Sequence, residues 1–164
     1  AVDVGYGQLA WKLQSDPRVE VHDRTNVRTL DPASVAPAPD IVVGDMSFIS
    51  LTLVLPALVA AAAPDADFLL MVKPQFEIGK ERLGHGGVVR NPEHHVETVE
   101  NVARCAIGLG LDIAAIAPSP LPGPSGNVEY FLYMRRDYPE PINPQELTEY
   151  IRRAVAEGPA GGAL

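Results

Sequence analysis

The stretch FLLMVKP, residues 68–74, is an apolar run that ends abruptly in a lysine and a proline. A run that is apolar at every position is typical of a strand covered on both faces, as in a parallel sheet flanked by helices. The proline favours extended backbone at Lys73, which follows the run directly. Lys73 therefore lies where open α/β sheets bind their ligands, just beyond the carboxyl end of a strand.

Short runs of apolar or β-branched residues on either side of this stretch predict further strands of the same sheet. They are residues 19–22, 41–44, 113–116 and 128–134. The segment APSPLPGPSGN, residues 117–127, has four prolines and two glycines and predicts a loop. Because two strands joined without a helix are most simply antiparallel, we expect a mostly parallel sheet with an antiparallel last strand.

Helices are predicted between the first four strands. Residues 92–109 carry apolar side chains at three- and four-residue spacing after Asn91, a favourable N-cap, which predicts an amphipathic helix of about 17 residues. Another helical pattern follows Asp45, and Pro56 predicts that its regular part begins only at about residue 55. The expected order is strand, helix, strand, helix, strand, helix, strand, loop, strand. Beyond Arg136 we expect a proline-rich linker, a short helix over residues 145–156 and a flexible tail.

The composition favours one folded domain. Of 164 residues, 46% are apolar and 21% are charged, which excludes a disordered chain. The single cysteine, Cys105, excludes an internal disulfide and fits the cytoplasm. The longest apolar run, residues 51–63, falls short of the roughly 20 residues that a membrane span needs. The start of the sequence has no export signal, and the histidines lack the spacing of metal ligands, so we expect neither export nor a metal site.

The net charge of −8 argues against a chain that, by itself, binds nucleic-acid phosphates over a large part of its surface. One segment is locally basic. Residues 76–90, called the lip below, contain Lys80, Arg82 and Arg90. The lip is either a substrate loop that contacts RNA phosphates or an ordinary solvated loop, and the residues alone leave both interpretations open.

Polar residues near the predicted strand ends are the candidates for chemistry. They are Asp3, Asn26, Asp45, Lys73 and Glu129. An aspartate at such a place is more often a helix cap or a turn residue than a ligand, whereas Lys73 is as readily functional as structural. Glu129 interrupts the run VEYFLYM, in which both faces of the strand are largely apolar. We therefore expect its carboxylate to lie at a strand end or to pair with a cation.

Six pieces of the sequence resemble the TlyA group of FtsJ-like ribosomal RNA 2′-O-ribose methyltransferases, whose members are also called haemolysins. They are DVGYGQL, RTNVRTL, VVGDMSFISL, LLMVKPQFE, GGVVRNPEHH and SPLPGPSGNVEYFLY. The resemblance covers residues 1–136 in order, and the composition is similar to that of the actinobacterial members. It implies a class I (Rossmann-like) S-adenosylmethionine-dependent methyltransferase fold.

The resemblance also implies a role for several residues. Asp45, Lys73 and Glu129 match three members of a catalytic Lys-Asp-Lys-Glu tetrad. Asp3 matches an acid that binds the ribose hydroxyls of S-adenosylmethionine, and Asn26 with Val27 matches a turn that contacts its adenine. Asp45 also lies against the cofactor in this scheme.

The first tetrad lysine and the glycine-rich cofactor loop have no counterpart in the sequence. By the resemblance, residues 1–136 are a methyltransferase domain truncated at its N-terminus, without the first strand and that loop. Residues 137–164 form the linker, short helix and tail. By the same resemblance, we expect the family's N-terminal RNA-binding domain to lie outside this sequence as well. We therefore expect the full-length protein to bind ribosomal RNA within ribosomal subunits and to methylate it, and this chain to be inactive alone.

Two other functions remain open at this stage. The chain could be a non-catalytic fragment or interaction domain, because the cofactor loop is missing. Membrane lysis, suggested only by the haemolysin name, has little support, because the helix predicted over residues 92–109 carries three glutamates and only Arg104 as a basic residue. A missing central strand would expose the edges of its neighbours, and a homodimer through such an edge is one expected arrangement.

Overall fold

A four-stranded sheet forms the centre of the structure, a computed structural model that describes residues 1–160. Its strands are β1 (Ile41–Gly44), β2 (Asp67–Val72), β3 (Asp112–Pro118) and β4 (Tyr130–Arg135), in the spatial order β1-β2-β4-β3. β1 runs parallel to β2, and β4 runs antiparallel to both of its neighbours. The predicted sheet, mostly parallel with an antiparallel last strand, is confirmed.

Residues 1–160 also form five α-helices. They are α1 (Trp11–Gln14), α2 (Leu51–Ala61), α3 (Pro74–Glu77), α4 (Pro92–Gly108) and α5 (Leu147–Glu157). α4 contacts α2, α5 and three of the strands, so it forms the middle of the helical layer. Alternate residues of β2, such as Phe68 and Leu70, are fully buried, whereas Leu69 between them is exposed. The expectation of strands covered on both faces therefore holds for one face only.

The predicted strand over residues 19–22 is wrong. Only an isolated parallel bridge forms there, between Val2 and His22. Among residues 1–160, these two extended segments pair only with each other, through this single bridge, and neither belongs to the four-stranded sheet. The helix expected between this segment and β1 is also wrong. Prolines interrupt the connection, and two 3₁₀ turns, Val27–Thr29 and Pro32–Val35, take its place.

Pro56 does not delay the start of α2, contrary to the sequence prediction. The helix begins at Leu51, with the Ser50 side chain accepting a hydrogen bond from the Thr52 N–H at its N-cap, and it continues through Pro56. Because proline has no N–H, the carbonyl of Thr52 loses its usual partner within the helix. The Cys105 thiol lies 3.9 Å from this carbonyl oxygen and partly replaces that partner.

α4 begins at the predicted residue and ends one residue before its predicted end, and α5 is displaced by only a residue or two from its predicted bounds. Asn91 caps α4 by accepting a hydrogen bond from the Glu93 N–H. α5 buries Leu147 and Ile151 completely, and Arg152 on its outer face forms a bidentate ion pair with Glu93 of α4. In the predicted flexible tail, Gly158 and Ala160 are buried, whereas Glu157 and Pro159 are exposed, and residues 161–164 lie outside the described residues.

The outer side of β1 is open, since among residues 1–160 this strand pairs with β2 alone. Its side chains Ile41 and Val43 are 64% and 72% exposed, which is unusual for apolar residues of a sheet. Across a gap lies the extended segment around Val2. In the described part of the chain, none of the helices has the length and apolar character to cross a membrane.

Candidate active site

Lys73 stands at the carboxyl end of β2, where its backbone is extended and Pro74 begins α3. Its side chain is only 11% exposed. The ammonium nitrogen Nζ lies 2.5 Å from Asp45 Oδ1 and 3.9 Å from Glu129 Oε1. The three residues that the resemblance assigns to catalysis therefore converge on one point, although they are far apart in the sequence.

Asp45 reaches Lys73 from the loop that follows β1. Parallel pairing of β1 with β2 brings the carboxyl ends of both strands to the same edge of the sheet, so the two side chains meet there. Ser47 from the same loop accepts a hydrogen bond from Lys73 Nζ at 3.2 Å. Sequence reasoning missed Ser47, because a serine in a loop carries no distinguishing pattern.

Glu129 immediately precedes β4 and is 6% exposed. Because β4 is antiparallel, its first residue pairs with Val72, the last residue of β2, and the carboxylate arrives beside Lys73. Glu129 also accepts a hydrogen bond from Gln75 Nε2 on Oε1, at 3.2 Å. The expectation of a strand end or a cationic partner is confirmed on both counts.

A cavity of about 1230 Å³ opens beside this cluster, between the N-terminal segment and β1. Asp3, Asn26, Val27 and Asp45, the four residues expected at the cofactor, all line it. Asp3 Oδ1 accepts a hydrogen bond from the Gly5 N–H, and Asn26 Oδ1 accepts one from the Arg28 N–H, so both side chains are held in place by backbone groups. The cavity thus combines an exposed carboxylate, an amide and an apolar wall.

Phe48, three residues after Asp45, is a feature that sequence reasoning missed. Its ring is 90% exposed, and its backbone φ of 63° lies in the left-handed region, which is unusual for a bulky residue. The ring centroid lies 5.0 Å from that of Phe76 in the lip. An exposed aromatic ring thus stands on the loop that also supplies Asp45 and Ser47.

The three basic residues of the lip differ in their surroundings. Lys80 is exposed to solvent. Arg82 forms a bidentate ion pair with Glu97 of α4, at 2.6 and 2.8 Å, and this guanidinium lowers the pKa of the Glu97 carboxyl. Arg90 donates a hydrogen bond to the His85 carbonyl oxygen at 3.3 Å. Two of the three cations are therefore bound by the protein itself.

Buried side chains fasten the end of the lip to the hairpin that carries Glu129. Asn127 accepts a hydrogen bond from the Val89 N–H at 2.9 Å and donates one to the Gly87 carbonyl oxygen at 2.8 Å. His95 of α4 lies 2.9 Å from the Val89 carbonyl oxygen through Nε2 and 3.1 Å from the Tyr130 hydroxyl through Nδ1. Since a carbonyl only accepts, Nε2 carries the proton and Nδ1 accepts from the Tyr130 O–H.

The chain is similar in sequence to known methyltransferases. The family described as FtsJ-like methyltransferase matches residues 1–136. The 16S/23S rRNA (cytidine-2′-O)-methyltransferase TlyA of Mycobacterium tuberculosis is 52% identical over 159 residues, which are 97% of this chain. The chain spans 59% of the length of that relative.

Two solved structures that carry the name hemolysin have the same fold. The one from Streptococcus thermophilus is 35% identical, with a TM-score of 0.83, and the match covers 95% of this chain and 57% of that one. The one from Lactococcus lactis is also 35% identical, with a TM-score of 0.81 and coverage of 90% and 73%.

The buried His95 predicts how stability depends on pH. Burial lowers the pKa of His95 below its ordinary value of 6.5. The His95 imidazole therefore binds a proton more tightly in the unfolded chain than in the folded chain. The free energy of unfolding is unaffected by this group above about pH 6.5 and decreases as the pH falls below that value. One such proton accounts for at most about 1.4 kcal/mol per pH unit.

Urea unfolding of the wild type and of His95→Gln, between neutral pH and about pH 5, measures this contribution. We expect the variant to lose less stability on acidification, since the glutamine cannot be protonated. His85→Gln, at an exposed position of the lip, is the matched control and should retain the wild-type dependence. Equal pH dependence in the wild type and His95→Gln would contradict the assignment.

Proposed function

The chain belongs to the FtsJ-like methyltransferase family, and we propose that the protein containing it methylates ribose 2′-hydroxyls of ribosomal RNA, with S-adenosylmethionine as the methyl donor. The observation that carries the proposal is the position of Lys73 Nζ between Asp45 and Glu129 at the end of β2. The name of the Mycobacterium tuberculosis relative supports the same reaction and substrate. Such a substrate is met in the cytoplasm.

A ribose 2′-hydroxyl is a poor nucleophile, so it must be aligned with the methyl group and must lose its proton as it attacks. In the proposed site, the Lys73 ammonium donates a hydrogen bond to the hydroxyl oxygen and stabilises the negative charge that develops there. Asp45, Ser47 and Glu129 hold Nζ in position. A second lysine, expected from the resemblance in the full-length protein, would place a further cation nearby and favour a neutral Lys73 that accepts the proton.

The residues around the cavity fit S-adenosylmethionine. Asp3 would accept hydrogen bonds from the ribose hydroxyls, and Asn26 with Val27 would contact the adenine. Asp45 lines the same cavity and touches Lys73, so it connects the cofactor side of the site with the substrate side. When bound, the cofactor supplies an electrophilic methyl group on a sulfonium.

We also propose that residues 1–136 are one part of a methyltransferase domain whose first strand lies next to β1. The support is the open side of β1 and the gap between this strand and the Val2 segment. Residues 137–164, with α5, are an extension of that domain. The occupant of the open side would be a strand from a part of the full-length protein outside residues 1–164, consistent with the greater length of the Mycobacterium tuberculosis relative.

The lip would contact RNA locally, while most of the affinity for RNA comes from elsewhere in the full-length protein. The charge of −8 favours this division, because a chain with that charge gains little from phosphates over its whole surface. Lys80 is exposed and accessible to a phosphate. Arg82 and Arg90 would have to exchange their present partners for RNA.

A second candidate is a non-catalytic interaction domain, which the open side of β1 favours. The two functions differ in whether Lys73 matters. We expect Lys73→Ala in the full-length protein to lower methyl transfer to ribosomal RNA by at least about 10²-fold, the usual effect of removing a group that stabilises developing charge. Transfer of a radiolabelled methyl group measures the rate, and calorimetry measures cofactor binding, which should persist.

The control for this experiment is Lys12→Ala, which removes an exposed lysine of α1. It should retain the wild-type rate. If Lys73→Ala and Lys12→Ala methylate RNA equally well, the catalytic assignment is wrong and the interaction domain becomes the better interpretation.

Lys80→Ala tests the lip. We expect weaker RNA binding at every sequence and a decrease of about one in the slope of log affinity against log salt, because one phosphate contact is lost. Arg82→Ala should have a smaller effect, since Glu97 already competes for this guanidinium. Fluorescence anisotropy over a salt series measures both. An unchanged salt slope for Lys80→Ala would favour an ordinary solvated loop.

The open side of β1 predicts how the isolated chain behaves. Without a strand beside β1, residues 1–164 should self-associate as the concentration rises, because an unpaired apolar strand pairs with another copy. Val43→Lys should suppress this association, and the full-length protein should be free of it. Sedimentation velocity distinguishes these cases. A monomeric wild-type chain at high concentration would exclude a homodimer through this edge.

A further inference from the structure

Gln75 lies two residues after Lys73, in α3, and its two side-chain polar atoms have contrasting surroundings. Its amide nitrogen Nε2 donates to Glu129 Oε1 at 3.2 Å. Its carbonyl oxygen Oε1 is buried and has no hydrogen-bond partner among residues 1–160. The reverse orientation of the amide would place two acceptor oxygens against each other, so the carboxylate itself determines which way the amide points.

A buried polar atom without a partner destabilises a fold, and such atoms are uncommon away from functional sites. A methionine would fill the same space as Gln75 without leaving an unpaired oxygen. What the glutamine provides in return is the hydrogen bond to Glu129. The loss of stability from the unpaired Gln75 oxygen thus accompanies the hydrogen bond that fixes the Glu129 carboxylate.

Gly123, in the loop before β4, bounds Glu129 on another side. A Cβ atom built on Gly123 would lie 2.9 Å from Glu129 Oε1, closer than real side chains approach. Because the backbone of Gly123 is not in the left-handed region, an alanine could adopt the same conformation and would collide only with the carboxylate. The absence of a side chain at this position therefore leaves room for Oε1.

The segment that carries Gln75 is itself fixed. Glu77, at the end of α3, accepts hydrogen bonds from the Leu51 N–H at 2.7 Å and from the Ser50 hydroxyl at 2.5 Å, at the start of α2. This contact ties α3 to the N-terminus of a core helix. The backbone that carries Gln75 is therefore fixed relative to the core.

We propose that Gln75 and Gly123 are positioning residues for the methyl transfer, which act by fixing Oε1 of Glu129 next to Lys73 Nζ. The inference rests on the proposed function and adds two residues to its machinery. With Oε1 fixed by Gln75 and directed at Lys73, Oε2, which accepts no hydrogen bond from residues 1–160, is left for the substrate side. Neither residue needs to touch the substrate.

The first test is Gln75→Met in the full-length protein. We expect kcat to fall about 10- to 100-fold, the range for losing a hydrogen bond to a charged group, while KM for RNA and for the cofactor changes little. The melting temperature should stay the same or rise, because the unpaired oxygen is removed. Gln145→Met, at an exposed position, is the control and should leave kcat unchanged.

Gln75→Glu supplies a signature that a merely structural role would not give. At neutral pH the introduced carboxylate repels Glu129, so kcat should be low. As the pH falls, the introduced group becomes protonated and can donate a hydrogen bond to Oε1, so the ratio of its kcat to that of the wild type should rise. A ratio that is constant with pH would count against positioning through Glu129.

A double-mutant cycle tests whether both residues act through Glu129. In a Glu129→Ala background, Gln75→Met and Gly123→Ala should cause no further loss of kcat, whereas each alone should reduce it. Crystal structures of the two single variants should show the Glu129 carboxylate displaced from Lys73 Nζ. This second readout does not depend on activity.

The outcomes separate the two proposals. A wild-type protein that methylates no ribosomal RNA overturns the proposed function, and the position of the carboxylate in the variants then decides the present inference. An active wild type with unchanged kcat in Gln75→Met overturns the inference alone. Full additivity in the Glu129→Ala background overturns it too.

Discussion

A lysine ammonium that is almost completely buried needs hydrogen-bond acceptors around it. The arrangement of the sheet brings such acceptors to Lys73. An unpaired charge at 11% exposure would cost far more than a single mutation usually does. Asp45 and Glu129 flank Nζ, and Ser47 adds a neutral acceptor. The ends of two strands and the start of a third must therefore meet at one point.

The topology explains how they meet. β1 and β2 are parallel, so their carboxyl ends, with Asp45 and Lys73, share one edge of the sheet. A third parallel strand next to β2 would bring its amino end to the opposite edge and place Glu129 a full strand length away. β4 instead runs antiparallel, with Tyr130 opposite Val72, and delivers Glu129 to the correct edge. The reversed last strand is thus a condition for assembling this cluster.

Features encoded by neighbouring residues could be predicted from the sequence, and features that depend on distant contacts could not. α4 followed from its cap and its periodicity, and the antiparallel β4 followed from a proline-rich loop too short to hold a helix. Glu129 could be assigned a strand end or a cation because a carboxylate in an apolar run has few alternatives. Its contact with Gln75 joins residues 54 positions apart and left no local signal. Pro56 within α2 was mispredicted for the same reason, since its compensating group, Cys105, comes from another helix.

The cavity and the open side of β1 are the same region of the molecule. The cavity is lined on one side by the segment around Asp3 and on the other by β1 and Asp45. Neighbouring strands lie about 4.8 Å apart, so a strand inserted between β1 and the Val2 segment would pair with both and form one wall of the cavity. The same inserted strand would then complete both the sheet and the wall of the proposed cofactor site. If the cavity binds S-adenosylmethionine as proposed, cofactor affinity would depend on that strand, although Asp3, Asn26, Val27 and Asp45 line the cavity without it.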